Sequence, residues 1–169
     1  MKQFLMFALL PLGFSVYAQH RPEILAIENP PRPISIYVNP AQGLSFGAFY
    51  LGGSGGTVIV YPNGSRSTTG SIIQASLGFS FSPAIFEADA EPGTIITISN
   101  GPDVNLTGSN GGTLSLHIGN SDLGSSFIAT AVSPSRTLIR IGGTLTVTNP
   151  LASPPGSYNG TFSVTFIQP

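Results

Sequence analysis

Apolar residues in this chain recur at every second position in short runs, and Gly, Pro, Ser and Asn fill the gaps between runs. Ile34, Ile36 and Val38 alternate with Ser35 and Tyr37 until Asn39-Pro40 closes the run. Leu44, Phe46 and Ala48 alternate next. Val58 and Val60 follow and end at Tyr61-Pro62-Asn63-Gly64, where Asn-Gly is a strong hairpin signal. Further runs cover 71–80, 84–88, 94–99, 113–118, 127–132, 137–141, 144–148 and 161–167. A period of two marks a strand with one face buried. From residue 19 onward, no window of 11 or more residues keeps a helical period free of Gly and Pro. About 8–10 short strands at this spacing predict an all-β sandwich or barrel. A membrane-spanning barrel is disfavoured, because its strands need about 9–11 residues and these runs are mostly shorter.

Three segments share the form Gly-Gly-Thr-apolar-x-apolar: 55–60, 111–116 and 142–147. The pattern predicts a glycine turn or bulge that opens a strand, followed by two core-facing residues. A phosphate-cradling loop would need a following helix and usually a Lys, and neither follows here. At the C-terminus, Phe162, Val164 and Phe166 alternate with Ser163 and Thr165. This strand is expected to pair deeply in a sheet, to hide its Phe-Val-Phe face.

The first residues read as an address. Met1-Lys2 is a short basic start, Phe4 to Phe14 is apolar, and Val16-Tyr17-Ala18 offers small residues at the two positions that signal peptidase reads. Residues 1–18 are therefore expected to be a cleaved signal peptide. The apolar run is too short to span ~30 Å of hydrocarbon and contains Pro11. Residues 19–33 are Pro-rich and hold four of the twelve charges found after residue 18, which predicts a tether or extended arm. Residues 34–169 form the single β domain. The expected location is the periplasm, cell surface or extracellular space, with no membrane span in the mature chain.

Composition narrows the chemistry. Only 8% of residues are charged, and there is no Cys and no Trp. Without Cys, disulfides and Cys-based zinc sites are excluded. Lys2 is the only lysine, so the mature chain has five Arg, seven acidic residues and a net charge of −2. That excludes a Schiff-base lysine and a P-loop, and it leaves no basic footprint for nucleic acid. High Gly, Pro and Ser content can mark disorder, but Leu, Ile, Val and Phe make up 42 of the 151 mature residues. That share exceeds the level of about 20% associated with disorder.

Chemically capable residues are few. His117 alternates away from Leu114, Leu116 and Ile118, so it is expected to face solvent without a catalytic partner. No Gly-x-Ser-x-Gly elbow occurs. Glu87, Asp89 and Glu91 fall at alternate positions and would share one strand face. A cation such as calcium wants six to eight converging oxygens, so a solvated face is the favoured reading. Tyr37, Tyr50, Tyr61, Tyr158 and eight Phe could build a sugar platform, but the Phe residues are expected mainly in the core. No cofactor, metal ligand set or catalytic group is assigned.

The order of Leu44-Ser45-Phe46-Gly47, Gly55-Gly56-Thr57-Val58, Gly64-Ser65-Arg66-Ser67-Thr68-Thr69-Gly70, Ala84-Ile85-Phe86, Gly142–Val147 and Gly156–Phe166 resembles an uncharacterised family of small exported bacterial β proteins. That family is a domain of unknown function. It is distantly similar to the common-pilus major subunit and to spore-coat-U-like proteins. The resemblance covers about residues 34–168 and leaves out the Pro-rich arm. It implies an immunoglobulin-like antiparallel β-sandwich and a cell-surface or pilin-like role, and brings no catalytic residue. The expected function is a non-enzymatic, exported structural or adhesive subunit. It would be assembled with copies of itself or other surface subunits by strand donation. Ile34, Ile36 and Val38 are the candidate donor side chains, unless 34–38 is the first strand of its own domain. The alternative is a carbohydrate- or matrix-binding module, with glycans as partners.

Overall fold

The computed structural model describes residues 32–169. They form fifteen short strands and one 3-10 turn. In chain order the strands are β1 (Ser35–Val38), β2 (Ser45–Phe46), β3 (Phe49–Leu51), β4 (Gly56–Val60), β5 (Arg66–Thr68), β6 (Ile72–Gln74), β7 (Phe81–Ser82), β8 (Ala84–Asp89), β9 (Ile95–Asn100), β10 (Val104–Gly108), β11 (Thr113–Ser121), β12 (Ser126–Ile128), β13 (Thr137–Val147), β14 (Tyr158–Asn159) and β15 (Val164–Ile167). The expected signal peptide, and the arm up to residue 31, lie outside the described residues. No described helix is long and apolar enough to cross a membrane.

The fold is all-β and its strand ladders are antiparallel. Eight strands make the main sheet, in the order β1-β8-β13-β11-β10-β14, with β4 and β5 added beside β13. This sheet curls into a half-barrel. β13 is its spine. One edge of β13 lies along β11. Its other edge is divided, with Thr137–Ile141 on β8 and Gly143–Val147 on β4. Gly142 stands where the neighbour changes. A Cβ there would lie 2.3 Å from the carbonyl oxygen of Val60 and 3.0 Å from Cδ of Pro62.

Alternation along these strands builds the core in rows. Val104, Leu116, Leu145 and Val58 are successive cross-strand partners over β10, β11, β13 and β4. One position along, Asn105, Ser115, Thr146 and Thr57 make a polar row on the other face. Direct cross-strand neighbours of this kind are the unit of sheet stabilisation. Ile96, Ile139, Ile141, Val58 and Val60 are the largest fully buried side chains. Each contributes about 1.5–3 kcal/mol relative to exposure.

Smaller sheets cover the apolar face. β12, β9 and β15 form a three-stranded sheet, which meets the main sheet through Phe86 and Phe166, whose ring centroids are 5.4 Å apart. The two-stranded ribbons β2–β7 and β3–β6 pack beside β4.

Two expectations are corrected. The third Gly-Gly-Thr segment does not open a strand: Gly142 and Gly143 lie in the middle of β13, and the runs 137–141 and 144–148 are one strand. At Gly142 the Val60 carbonyl approaches too closely for a side chain, and at Gly143 a Cβ would meet Leu44 Cδ2 at 2.8 Å and the His117 carbonyl oxygen at 3.1 Å; close approach is the second use of glycine inside a strand. The C-terminal strand is not deeply paired. β15 has β9 as its only ladder partner among the described residues, and Phe162, Val164 and Phe166 are half-buried. Phe162 precedes the ladder, so its ring is left beside open space rather than sealed in a sheet.

Gly142→Ala is expected to destabilise the domain by about 1–3 kcal/mol, because the clash is with backbone. Gly53→Ala, where a Cβ meets nothing within 4 Å, is expected to be neutral or stabilising by a few tenths of a kcal/mol. Paired urea titrations check this, and equal midpoints for the two variants would refute it.

Candidate functional site

The covering layer leaves a gap. Over the Val147 end of β13 lies a cavity of about 800 Å³. Its floor is Leu106, Leu114, Leu116, Leu145 and Val147, contributed by β10, β11 and β13. One rim is the continuous stretch Leu44–Leu51. The other runs from Ser153 through Gly160 to Phe162. Tyr50, Leu77 and Phe79 also line it and remain 55%, 56% and 71% exposed, which is unusual for residues of this size.

Local chemistry holds each rim. Gly47 turns the first rim with φ +68°, a conformation L side chains avoid, and a Cβ there would strike Arg66 Nη1 at 2.8 Å. Arg66 clamps this turn. Nη1 donates to the carbonyls of Phe46 at 2.8 Å and Ala48 at 3.1 Å, and Nη2 donates to Gln74 Oε1 at 3.2 Å. Its guanidinium also lies over the Phe81 ring at 4.5 Å. Nε of Arg66 is buried with no partner among the described residues. On the second rim, the buried Ser153 donates from Oγ to the Thr113 carbonyl at 3.1 Å. Asn110 Nδ2 donates to the Pro155 carbonyl at 2.7 Å, and the Ser157 amide donates to Ser109 Oγ at 3.1 Å. The Tyr158 hydroxyl donates to the Pro154 carbonyl at 2.6 Å. Burial holds that hydroxyl above the ordinary tyrosine pKa.

Each rim is a strand edge with a ladder on one side. β3 pairs with β6, and β14 pairs with β10. Their opposite edges have no ladder partner among the described residues. The site is an apolar slot whose rims include β3 and β14.

The residues singled out from sequence fall elsewhere. Ile36 and Val38 belong to the first strand of the main sheet, where Ile36 pairs with Ala88 and Val38 with Phe86, and Ile34 immediately precedes it. Ile34 and Ile36 pack on the core, while Val38 is 59% exposed. Glu87 and Asp89 do share a face of β8, but each is taken by an arginine. Arg136 Nη1 bonds Glu87 at 2.8 Å and stacks on the Tyr37 ring at 3.5 Å. Arg32 Nη2 bonds Asp89 at 2.7 Å. Glu91 lies past the strand end, so the three carboxylates do not converge. His117 is exposed as expected, and its Nδ1 lies 2.7 Å from Asp103 Oδ1, also exposed. Of the eight Phe beyond residue 18, six pack in or on the core, while Phe79 and Phe81 are exposed. No single stretch of sequence points to the slot, because its floor and rims come from segments more than a hundred residues apart.

Residues 36–167 match the family described as Domain of unknown function (DUF4402). The chain belongs to this family. No curated protein and no solved structure matches it. The DUF4402 span contains the floor and both rims of the slot, whereas Arg32 and everything upstream lie outside it.

With Glu87 and Asp89 held by arginines, EDTA is expected to leave the thermal midpoint unchanged, and a fall in midpoint restored by calcium would refute this. The raised Tyr158 pKa gives a second expectation. The folded state keeps this proton where the unfolded chain has lost it, so the stabilisation is full below about pH 10 and is lost as pH rises through the folded pKa. Tyr158→Phe is expected to flatten that alkaline decline and to lose one hydrogen bond, roughly 0.5–1.5 kcal/mol. Melts from neutral pH to about pH 11 check this, and parallel declines in both proteins would contradict it.

Proposed function

We propose that this protein is an exported, non-enzymatic structural or adhesive subunit of the bacterial surface, with an immunoglobulin-like sandwich completed by strand addition. One observation carries the reading: an apolar slot is lined by residues of β3 and β14, each of which has one ladder partner among the described residues. An open edge above an apolar floor is the arrangement in which an added strand supplies main-chain hydrogen bonds and its alternate side chains fill pockets. The distant similarity of the family that these segments resemble to the common-pilus major subunit and to spore-coat-U-like proteins supports the same reading, as does the export signal read at residues 1–18. A carbohydrate- or matrix-binding module is the alternative, favoured by the exposed Tyr50 and Phe79 at the mouth of the slot.

Residues 19–169, purified and followed by light scattering and by gels with and without boiling, separate the two. A mass that grows with concentration, together with a ladder that collapses on boiling, is the expected outcome. A monomer at all concentrations that binds glycans would overturn the subunit reading and establish the module.

A further inference from the structure

We infer that the slot end of the domain docks on a lipid bilayer, with the loop tips at 76–80 and 149–152 entering its interfacial layer. The inference goes beyond strand addition, since it concerns the tips beside the slot and not what fills the slot.

Charge is the first observation. None of the residues that line the slot is charged. Residues 33–86 contain one charge, Arg66, and residues 141–169 contain none, and these two stretches supply both rims. Arg66 is turned inward, onto the carbonyls of Phe46 and Ala48. Of the other charges, Glu87, Asp89 and Arg136 cluster toward the Thr137 end of β13. Asp103 is held by His117 on the face opposite the floor, because His117 alternates with Leu116.

The two most exposed large apolar side chains among the described residues both sit at the uncharged end. They are Leu151, at 97%, and Phe79, at 71%. Phe79 lines the slot, and Leu151 follows Pro150, which also lines it. Leu77 and the cross-strand pair Tyr50 and Ile73 are exposed beside them.

Both tips are built to project. Gly78 turns the first with φ +81°, and a Cβ there would meet nothing within 4 Å, so Leu77 and Phe79 stand on a turn clear of the domain. In the second, Asn149 Oδ1 accepts from the amides of Leu151 at 3.0 Å and Ala152 at 2.9 Å, and the Asn149 carbonyl accepts from the Ser153 amide at 3.0 Å. These amides need no partner from water, which is the condition for entering a layer poor in water.

The class of partner follows. A charged ligand finds no counter-charge here. A sugar needs directed hydrogen bonds, but the hydroxyls of Ser45, Ser153 and Tyr158 already donate to the carbonyls of Ser80, Thr113 and Pro154. A protein interface sets an apolar centre inside a polar rim, whereas here the apolar side chains are the outermost points, on separate tips. A bilayer asks for neither directed bonds nor a matching shape. It takes projecting apolar side chains, with aromatic rings such as Tyr50 and Phe79 at the boundary.

Vesicle flotation of the chain from Gln19 provides the test. Binding to phosphatidylcholine vesicles is expected at low and high salt alike, because no charge takes part. Leu151→Ser is expected to weaken it about tenfold. Leu77→Ser, Phe79→Ser and Leu151→Ser together are expected to abolish it and leave the melting midpoint unchanged, since all three side chains are exposed. Leu151 does not line the slot, so its effect is separate from any ligand held there. The chain has no Cys, so single labels can be placed. An environment-sensitive fluorophore on Leu151→Cys is expected to shift to the blue on vesicles. The same label on Val132→Cys, exposed in the loop before β13, is not. A shift at Val132 and none at Leu151, a triple variant that floats like the wild type, or binding seen only with anionic vesicles and lost in salt would each overturn the inference. So would a wild-type chain that stays off the vesicles. If the triple substitution then lowers its mass in light scattering, this end is a protein contact, and if the wild type binds glycans instead, it is a sugar site.

Discussion

The structure depends on one strand being paired along its whole length by three different neighbours. β13 runs eleven residues, with β11 along one edge and β8 then β4 along the other. A single long neighbour would have made an ordinary flat pairing. Two neighbours need a place where one departs and the next arrives, and at that place Val60 and Pro62 press against Gly142. The same region of β11 carries a register irregularity between Ile118 and Ser121. The curl of the sheet, the row from Val104 to Val58 and the position of the leucine floor all follow from that junction. With so few charges, little else could do this. The described ion pairs are all partly exposed, where each contributes about 0–1 kcal/mol.

The slot is what remains when a broad sheet is covered by narrower ones. The β12-β9-β15 sheet reaches the main sheet through the Phe86–Phe166 contact, and the ribbons β2–β7 and β3–β6 sit beside β4. Neither extends over Leu106, Leu114 and Leu145. The segment that could have closed the gap, 160–163, crosses from β14 to β15 outside any ladder, although the Ser163 carbonyl accepts from the Gly101 amide. Its rims are nonetheless well ordered by local hydrogen bonds: Arg66 on one side, and Ser153, Asn110 and Tyr158 on the other.

Polarity gives the domain its second organising feature. The chain enters at the Thr137 end of β13, through Arg32 on Asp89, and the slot opens at the Val147 end. The Arg32–Asp89 pair and the Ile34–Gln168 hydrogen bond tie both termini of the described domain at the entry pole. The Arg32–Asp89 pair and the slot thus lie at opposite ends of β13.

Much of the strand content could be read from the alternation alone. Ile34–Val38, Ala84–Ala88 and Thr94–Ser99 all form strands close to their expected limits, because a period of two with one apolar face has few other ways to be satisfied. Short strands such as β5, β10 and β14 carry little periodic signal, since they have two to five residues and at most two apolar members. The Gly142-Gly143 break was misjudged because glycine signals a turn locally, and only the approach of Val60 explains why it lies mid-strand. Sequence by itself determined that the chain is an all-β domain without cysteine or lysine chemistry, since composition and periodicity are local properties. Only the tertiary structure decided that Leu106, Leu114, Leu116, Leu145 and Val147 form one floor, and that two distant segments leave backbone edges above it. Those facts are set by register and by which strands run out first, and neither is encoded in any single window of the chain.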